Sequence, residues 1–431
     1  MEVSEGFYHN VRAHFPYFQS NKKHPVFFEN AGGSQVPAVV IDAISNYMRD
    51  SYVQLGAAYE LSKEATKMLA DTHSFLKIFM NAEVVGEVVL GPSTSQLVAN
   101  LSASYAGILS PGDEIVVQEA NHEANAGPWV KLAKRGGFSL KFWKINPQSF
   151  ESSIDDLIKL LSPSTKIVAV THVSNILGEI LDLEKLVKVV KEEVGDRVRV
   201  VADGVAYAPH RAIDVMKWGV DWYVFSTYKV YGPHMSALFG TFDAFDEVKD
   251  EGPNHFFVPS SDFSYKFELG GASHEGSAGI LALSHYLKAL AAMKHRNTYT
   301  AIGFDRQVVE AAFAAITQLE QPLQHTLLGF LKSKPDVVII GLSSSQARIR
   351  VPTISFVHKT KSSTEIVKHI EKAGIATRNG NMYAYRLVTA LVEQGALFGN
   401  SIDDGVVRIS MVHYNTPHEV SLLMDCLDKI L

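Results

Sequence analysis

Asp221-Trp-Tyr-Val-Phe-Ser-Thr-Tyr-Lys-Val-Tyr-Gly-Pro-His234 is an apolar strand that runs into two hydroxyls and then Lys229. Upstream, a second apolar run, Val198-Arg-Val-Val-Ala202, delivers Asp203 to its C-terminal end. An arbitrary lysine reaches solvent and an arbitrary aspartate caps a helix. An acid and an amine buried together on neighbouring strand ends are costly unless something compensates each charge. Pyridoxal 5'-phosphate satisfies both: the amine joins its aldehyde as a Schiff base, and the acid pairs with its ring nitrogen.

Outward from this stretch, short apolar strands alternate with helical patterns from about Val26 to Ala291, the signature of an α/β fold. The expected strands are Glu87–Leu90, Glu114–Gln118, Ser139–Trp143, Lys166–Thr171, Arg197–Ala202, Trp222–Ser226 and Ala237–Phe242. Little polar alternation within them predicts a mixed, mostly parallel sheet covered on both faces. Amphipathic stretches at Ile154–Leu161 and Leu183–Glu193, and a buried pattern over Ser277–His295, predict helices. After a helical Ala301–Leu331, strands at Asp336–Gly341, Thr353–Val357 and Val406–Met411 and a final helix Pro417–Leu431 predict a smaller α+β unit. The expected division is an N-terminal segment 1–25, a large domain 26–295 and a small C-terminal domain 296–431. The Asp250–Asp262 loop, rich in Gly, Pro and Ser, reads as a flap.

Ligands of open α/β sheets bind beyond the carboxyl ends of the strands, and polar groups gather at such positions here. Gly91-Pro-Ser-Thr-Ser-Gln96 precedes a helix, so Ser93, Thr94 and Ser95 can form an anion site with free backbone N–H groups. The same residues also fit a plain helix cap. His122, after another strand, can stack on a ring and shuttle a proton, or be merely structural. Asn175 offers an amide at a third strand end.

The bulk composition excludes several classes. The 431 residues carry a formal charge of -6, 46% hydrophobic and 20% charged residues, which argues against a nucleic-acid or membrane-surface partner. A single cysteine, Cys426, leaves no intramolecular disulfide and suits a reducing compartment. The N-terminus shows no signal-peptide pattern and no apolar run is long enough to span a bilayer, so a cytoplasmic enzyme is expected. No metal site is expected.

Five ordered stretches carry a family resemblance: Asn121–Trp129, Thr171–Gly178, Ala202-Asp-Gly204, Ser226–Pro233 and Arg408–Thr416. With Phe28–Gln35, they make the chain similar to the class V aminotransferase superfamily of fold type I pyridoxal-phosphate enzymes, most closely its cysteine-desulfurase-like branch. The resemblance implies a large domain with a small C-terminal domain, a homodimer and an amino-acid substrate. It implies that Lys229 is the Schiff-base lysine, Asp203 the partner of the ring nitrogen, and His122 the stacking acid/base. Asn175 then contacts the phenolic oxygen, and Ser226 with Ser93, Thr94 and Ser95 holds the phosphate. Arg408 matches the arginine that pairs with the substrate carboxylate, for which a guanidinium fork is suited.

The departures bear on the reaction. In sulfur-transferring desulfurases a loop after Arg-x-Gly carries a persulfide-forming cysteine, but Ala376-Thr-Arg-Asn-Gly-Asn-Met-Tyr-Ala384 has Tyr383 there. A phenol does not replace a thiolate as sulfur acceptor. Tyr383 is read as an acid/base or as pocket lining. Tyr228 stands where a histidine is common, Ala206 where a hydrogen-bonding group is usual, and Gly270-Gly271-Ala-Ser273 lacks a threonine that reaches a neighbouring subunit. Asn30 and Arg378 are expected at the substrate. Phe256, Phe257, Phe263, Tyr383 and Tyr385 hint at an apolar or bulky one. The expected function is a carbon–sulfur lyase working by β-elimination. Epimerisation, transamination and carbon–carbon bond formation are alternatives on the same cofactor, and a non-catalytic binding protein is a third reading.

Overall fold

A computed structural model describes residues 5–259, 261–294 and 303–431. The expected domain boundary at 295/296 and the start of the helix expected from Ala301 lie outside the described residues. The strands of the larger sheet are β1 (Gly86–Gly91), β2 (Glu114–Gln118), β3 (Ser139–Trp143), β4 (Thr165–Thr171), β5 (Arg199–Asp203), β6 (Trp222–Ser226) and β7 (Ser236–Thr241). Their order across the seven-stranded sheet is β1-β7-β6-β5-β4-β2-β3. From β6 through β3 neighbours run parallel, while β7 pairs antiparallel with both β6 and β1. Runs such as Val200–Ala202 and Ile167–Val170 are fully buried, as strands covered on both faces must be.

The smaller sheet is antiparallel: β8 (Val337–Ile340), β9 (Thr353–His358), β10 (Arg378–Gly380) and β11 (Val406–Ser410), in the order β10-β11-β9-β8. Its register sets Arg378 opposite Arg408. At the N-terminus, Tyr8 donates a hydrogen bond to the Leu319 carbonyl at 2.8 Å and Arg12 pairs with Glu419 at 2.8 Å. Long helices at His274–Lys294 and Arg306–Lys332 pack against each other.

The structure changes some expectations. Strand limits move by a residue or two, because hydrogen bonding rather than hydropathy ends a strand. The helix at 154 stops at Ile158. Residues 250–259 form turns and bends, with Val258 buried beneath them. Of the five aromatics, only Tyr383 lines either cavity beside Lys229: Phe256 and Phe257 face solvent, and Phe263 packs on Phe245 and Phe267 in a second core. Tyr385 is exposed at the start of a helix. Among the described residues no helix is long and apolar enough to cross a membrane, and no group of His, Cys, Asp and Glu could hold a metal ion.

Candidate active site

Parallel β4, β5 and β6 end side by side, with Thr171 opposite Asp203 and Asp203 opposite Val224. Chain segments leaving these ends surround a cavity. Asp203, Lys229, His122, Asn175, Ser93–Ser95 and Ser226 line it.

Asp203 is buried and accepts the Val205 N–H at 2.9 Å. Burial pushes its carboxyl up to about 6, against smaller opposing effects of that hydrogen bond and of Lys229. The next residue must be Gly204, because a β-carbon there would lie 2.1 Å from the Tyr223 ring. Lys229 ends a single 3₁₀ turn after β6. Burial pushes its amine down to about 8, Arg408 adds to that, and Asp203 opposes it. The amine sits 5.8 Å from the centre of the Tyr228 ring, and that ring stacks on His234 at 4.5 Å.

His122 caps the helix Glu123–Gly136, its Nδ1 accepting the Ala124 N–H at 3.0 Å. An acceptor at Nδ1 leaves the proton of the neutral ring on Nε2. Burial first, then Lys229 and Arg408, push its pKa down to about 4, which favours that neutral form. Asn175 donates one amide hydrogen to the Met382 carbonyl at 2.9 Å, while its own Oδ1 is buried without a partner. Thr94, Ser226 and Ser236 form a closed ring of buried hydroxyls, 2.8–3.2 Å apart. Ser93 spends its hydroxyl on the Gln96 N–H, as a helix cap does.

A second cavity adjoins the first through Ser95, His122, Asn175 and Lys229, and adds Arg408, Arg378 and Tyr383. Arg408 is fully buried in β11; its Nη1 reaches the Asn175 carbonyl at 3.3 Å and its Nε has no partner. Burial pushes this guanidinium down to about 10. Arg378 pairs with Glu29 at 2.6 Å on the cavity rim. Asn30 departs from the expectation of substrate contact. Its amide bonds the Ser410 carbonyl at 2.8 Å and Asn415 at 3.1 Å and accepts from Tyr414, so Ala31 and Gly32 line the cavity instead.

Tyr383 is 68% exposed, with its ring 5.6 Å from that of His122. Both Met382 and Tyr383 have left-handed backbone, at φ 44° and 62°. Neighbours hold that strained pair: the Glu123 N–H donates to the Tyr383 carbonyl at 2.8 Å and Arg386 pairs with Glu123. Ser273 caps the helix from His274 through the Gly276 N–H and lies outside both cavities.

Sequence reasoning missed Ser236, the third hydroxyl of the ring. The signal was present, since the turn after Lys229 returns the chain antiparallel and sets Ser236 opposite Ser226. It also missed the Glu123–Arg386 pair, which joins residues with no common sequence pattern.

The donors fit pyridoxal phosphate. A buried carboxylate without a cation, an amine at a cavity wall, a hydroxyl ring by a helix start and an unpartnered amide oxygen suit its ring nitrogen, aldehyde, phosphate and polar edge. These features define a fold type I pyridoxal-phosphate enzyme. The aminotransferase class-V family model matches residues 26–256 and 296–423, and the chain belongs to that family of pyridoxal-phosphate-dependent enzymes. It is 37% identical to the aminotransferase-like protein FGM3 of Gibberella zeae, over 98% of each chain. It is 31% identical to the cysteine desulfurase-like protein ustD of Aspergillus flavus, over 98% of this chain and 90% of that one. Its fold is similar to the apo cysteine desulfurase of Thermococcus onnurineus, with a TM-score of 0.80, 22% identity, and 100% and 98% of the two chains covered.

Proposed function

We propose that this protein acts on an amino acid as a carbon–sulfur lyase, eliminating a β-substituent without a persulfide on the protein. One observation carries the reading. The only cysteine, Cys426, is buried in the core on the last helix, while a phenol, Tyr383, stands beside His122 at the cavity. Bound in the inner cavity, pyridoxal phosphate would supply a reactive aldehyde and an electron-withdrawing ring.

The chain's own residues divide the remaining work. Asp203 holds the ring nitrogen, and Thr94, Ser226 and the N–H groups near Ser95 hold the phosphate. Arg408, which lines the outer cavity, orients the substrate carboxylate. Lys229, with its amine held near 8, is neutral in a useful fraction at physiological pH and takes the α-proton. The leaving thiol departs with the electron pair of its bond to the β-carbon, and Tyr383 or the ammonium formed on Lys229 supplies its proton. The released 2-aminoacrylate then hydrolyses to a 2-keto acid and ammonia.

The Gibberella relative bears an aminotransferase-like name, which supports transamination as the second reading. Products separate the two. Purified protein loaded with pyridoxal phosphate is incubated with cysteine and S-alkyl cysteines, and keto acid, ammonia and free thiol are measured. Equal amounts of all three, lost in Lys229→Ala, support elimination. Keto acid without thiol, accumulating only with an acceptor keto acid, overturns it in favour of transamination.

A further inference from the structure

Tyr231 follows Lys229 by one intervening residue and plays no part in the reaction above. Its side chain is fully buried and its φ of 63° is left-handed, an uncommon setting for a residue with a β-carbon. Such strain persists only when its surroundings over-determine it, and the contacts of this residue do so.

The Tyr231 hydroxyl lies 2.8 Å from the Pro209 carbonyl, on the segment that follows Asp203. The same oxygen is 3.1 Å from Nδ1 of His413, on the segment that follows Arg408. Nε2 of His413 is 2.5 Å from the Tyr286 hydroxyl. Valence fixes the directions. A carbonyl only accepts, so Tyr231 donates to Pro209; its oxygen accepts the His413 Nδ1–H, and Nε2 accepts the Tyr286 O–H. This chain needs a neutral imidazole, and burial pushes His413 down to about 3. On the backbone, the Tyr231 N–H donates to Ser34 Oγ at 2.9 Å, while the Ser34 N–H and hydroxyl each reach the Tyr228 carbonyl at 3.2 Å. Lys229 is therefore bracketed on both sides.

We infer that Tyr231 is the positioning residue that fixes Lys229 relative to Asp203 and Arg408, by tying together the three chain segments that carry them. This rests on Lys229 being the reacting amine.

The test compares Tyr231→Phe with Tyr286→Phe in the full chain. Each removes one hydroxyl from the same buried network, but only the first touches the turn that holds the lysine. Apoprotein is reductively methylated with formaldehyde and cyanoborohydride across a pH series, and labelling at Lys229 is read by peptide mass spectrometry. Capture of pyridoxal phosphate is followed separately by visible absorbance. The groups facing the amine are Asp203, Arg408, His122, Tyr228 and His234.

The wild type labels with a midpoint near 8. In Tyr231→Phe the amine escapes its dry setting, so the midpoint rises toward that of an ordinary lysine and cofactor capture slows several-fold. In Tyr286→Phe the melting temperature falls while midpoint and capture rate stay as in the wild type. Tyr231→Phe with an unchanged midpoint and capture rate, or equal shifts in both variants, overturns the inference. Wild-type protein that captures no pyridoxal phosphate overturns the functional reading instead, and the methylation profile still reports on positioning.

Discussion

Thr94 Oγ1 and Ser226 Oγ lie 2.8 Å apart although 132 residues separate them in the chain. One belongs to the first turn of a helix and the other to the end of β6, so this contact joins the two halves of the anion end of the cavity. Hydroxyls that already bond one another stand in place before any anion arrives. Thr94→Val and Ser226→Ala each remove one donor to a charged oxygen, worth about 1.5–3 kcal/mol. Equilibrium dialysis then shows pyridoxal phosphate held about 10- to 100-fold more weakly, with pyridoxal lacking the phosphate affected little.

Asp203 gives a pH signature. Its folded pKa, about 6, lies above the ordinary 3.8, so the folded state holds the proton more tightly. The stability this contributes is fully present below about 4 and is lost as pH rises through 6. Asparagine cannot titrate. Relative to wild-type apoprotein, Asp203→Asn therefore gains stability between pH 4 and 7 by about 3 kcal/mol, as read by urea denaturation. Cofactor binding weakens in the same variant, so loaded protein shows the opposite ranking. A constant difference across the range contradicts the assignment.

Arg408 lines the outer cavity. Arg408→Gln leaves the cofactor site intact and removes the carboxylate fork. The expected result is KM raised about 10- to 100-fold with pyridoxal-phosphate absorbance unchanged, measured by steady-state kinetics beside a spectrum.

Cys426 is buried and belongs to the main hydrophobic core. Cys426→Ala costs about 1 kcal/mol in thermal or urea unfolding and leaves turnover within about two-fold. A variant that folds and yet loses turnover brings persulfide chemistry back.

Tyr383→Gly separates stability from function. Glycine adopts φ near +62° without the β-carbon clash, so the variant gains up to about 1 kcal/mol, less the entropy glycine loses on folding. Turnover falls if the phenol delivers a proton, and Tyr383→Phe falls with it. Turnover retained in both variants leaves the delivery to the Lys229 ammonium.

Legibility followed the physics of each residue. Lys229 and Asp203 stand at or just past ends of apolar strands, where hydropathy marks the boundary, whereas Arg408 lies in the middle of β11 and was legible only through the family resemblance; the fold brings all three to two adjoining cavities. Asn30 misled because its position is right and its amide is spent: Ser410, Asn415 and Tyr414 claim it, and such partners are hundreds of residues away in the chain. Phe256 and Phe257 misled because an aromatic side chain carries no signal of which way its loop turns. The Tyr231–His413–Tyr286 chain was invisible for the same reason as the Glu123–Arg386 pair, each depending on contacts that only tertiary packing creates.

The left-handed pair at Met382 and Tyr383 bears on any attempt to turn this protein into a sulfur donor. Its carbonyls are tied to Asn175 and to the Glu123 N–H, and the Met382 side chain is sunk in the core of the small sheet. A cysteine grafted at 383 would be a hook fixed to the wall, able to collect sulfur and unable to carry it outward. An acquired transfer activity would require cutting those tethers first, and the new residue second.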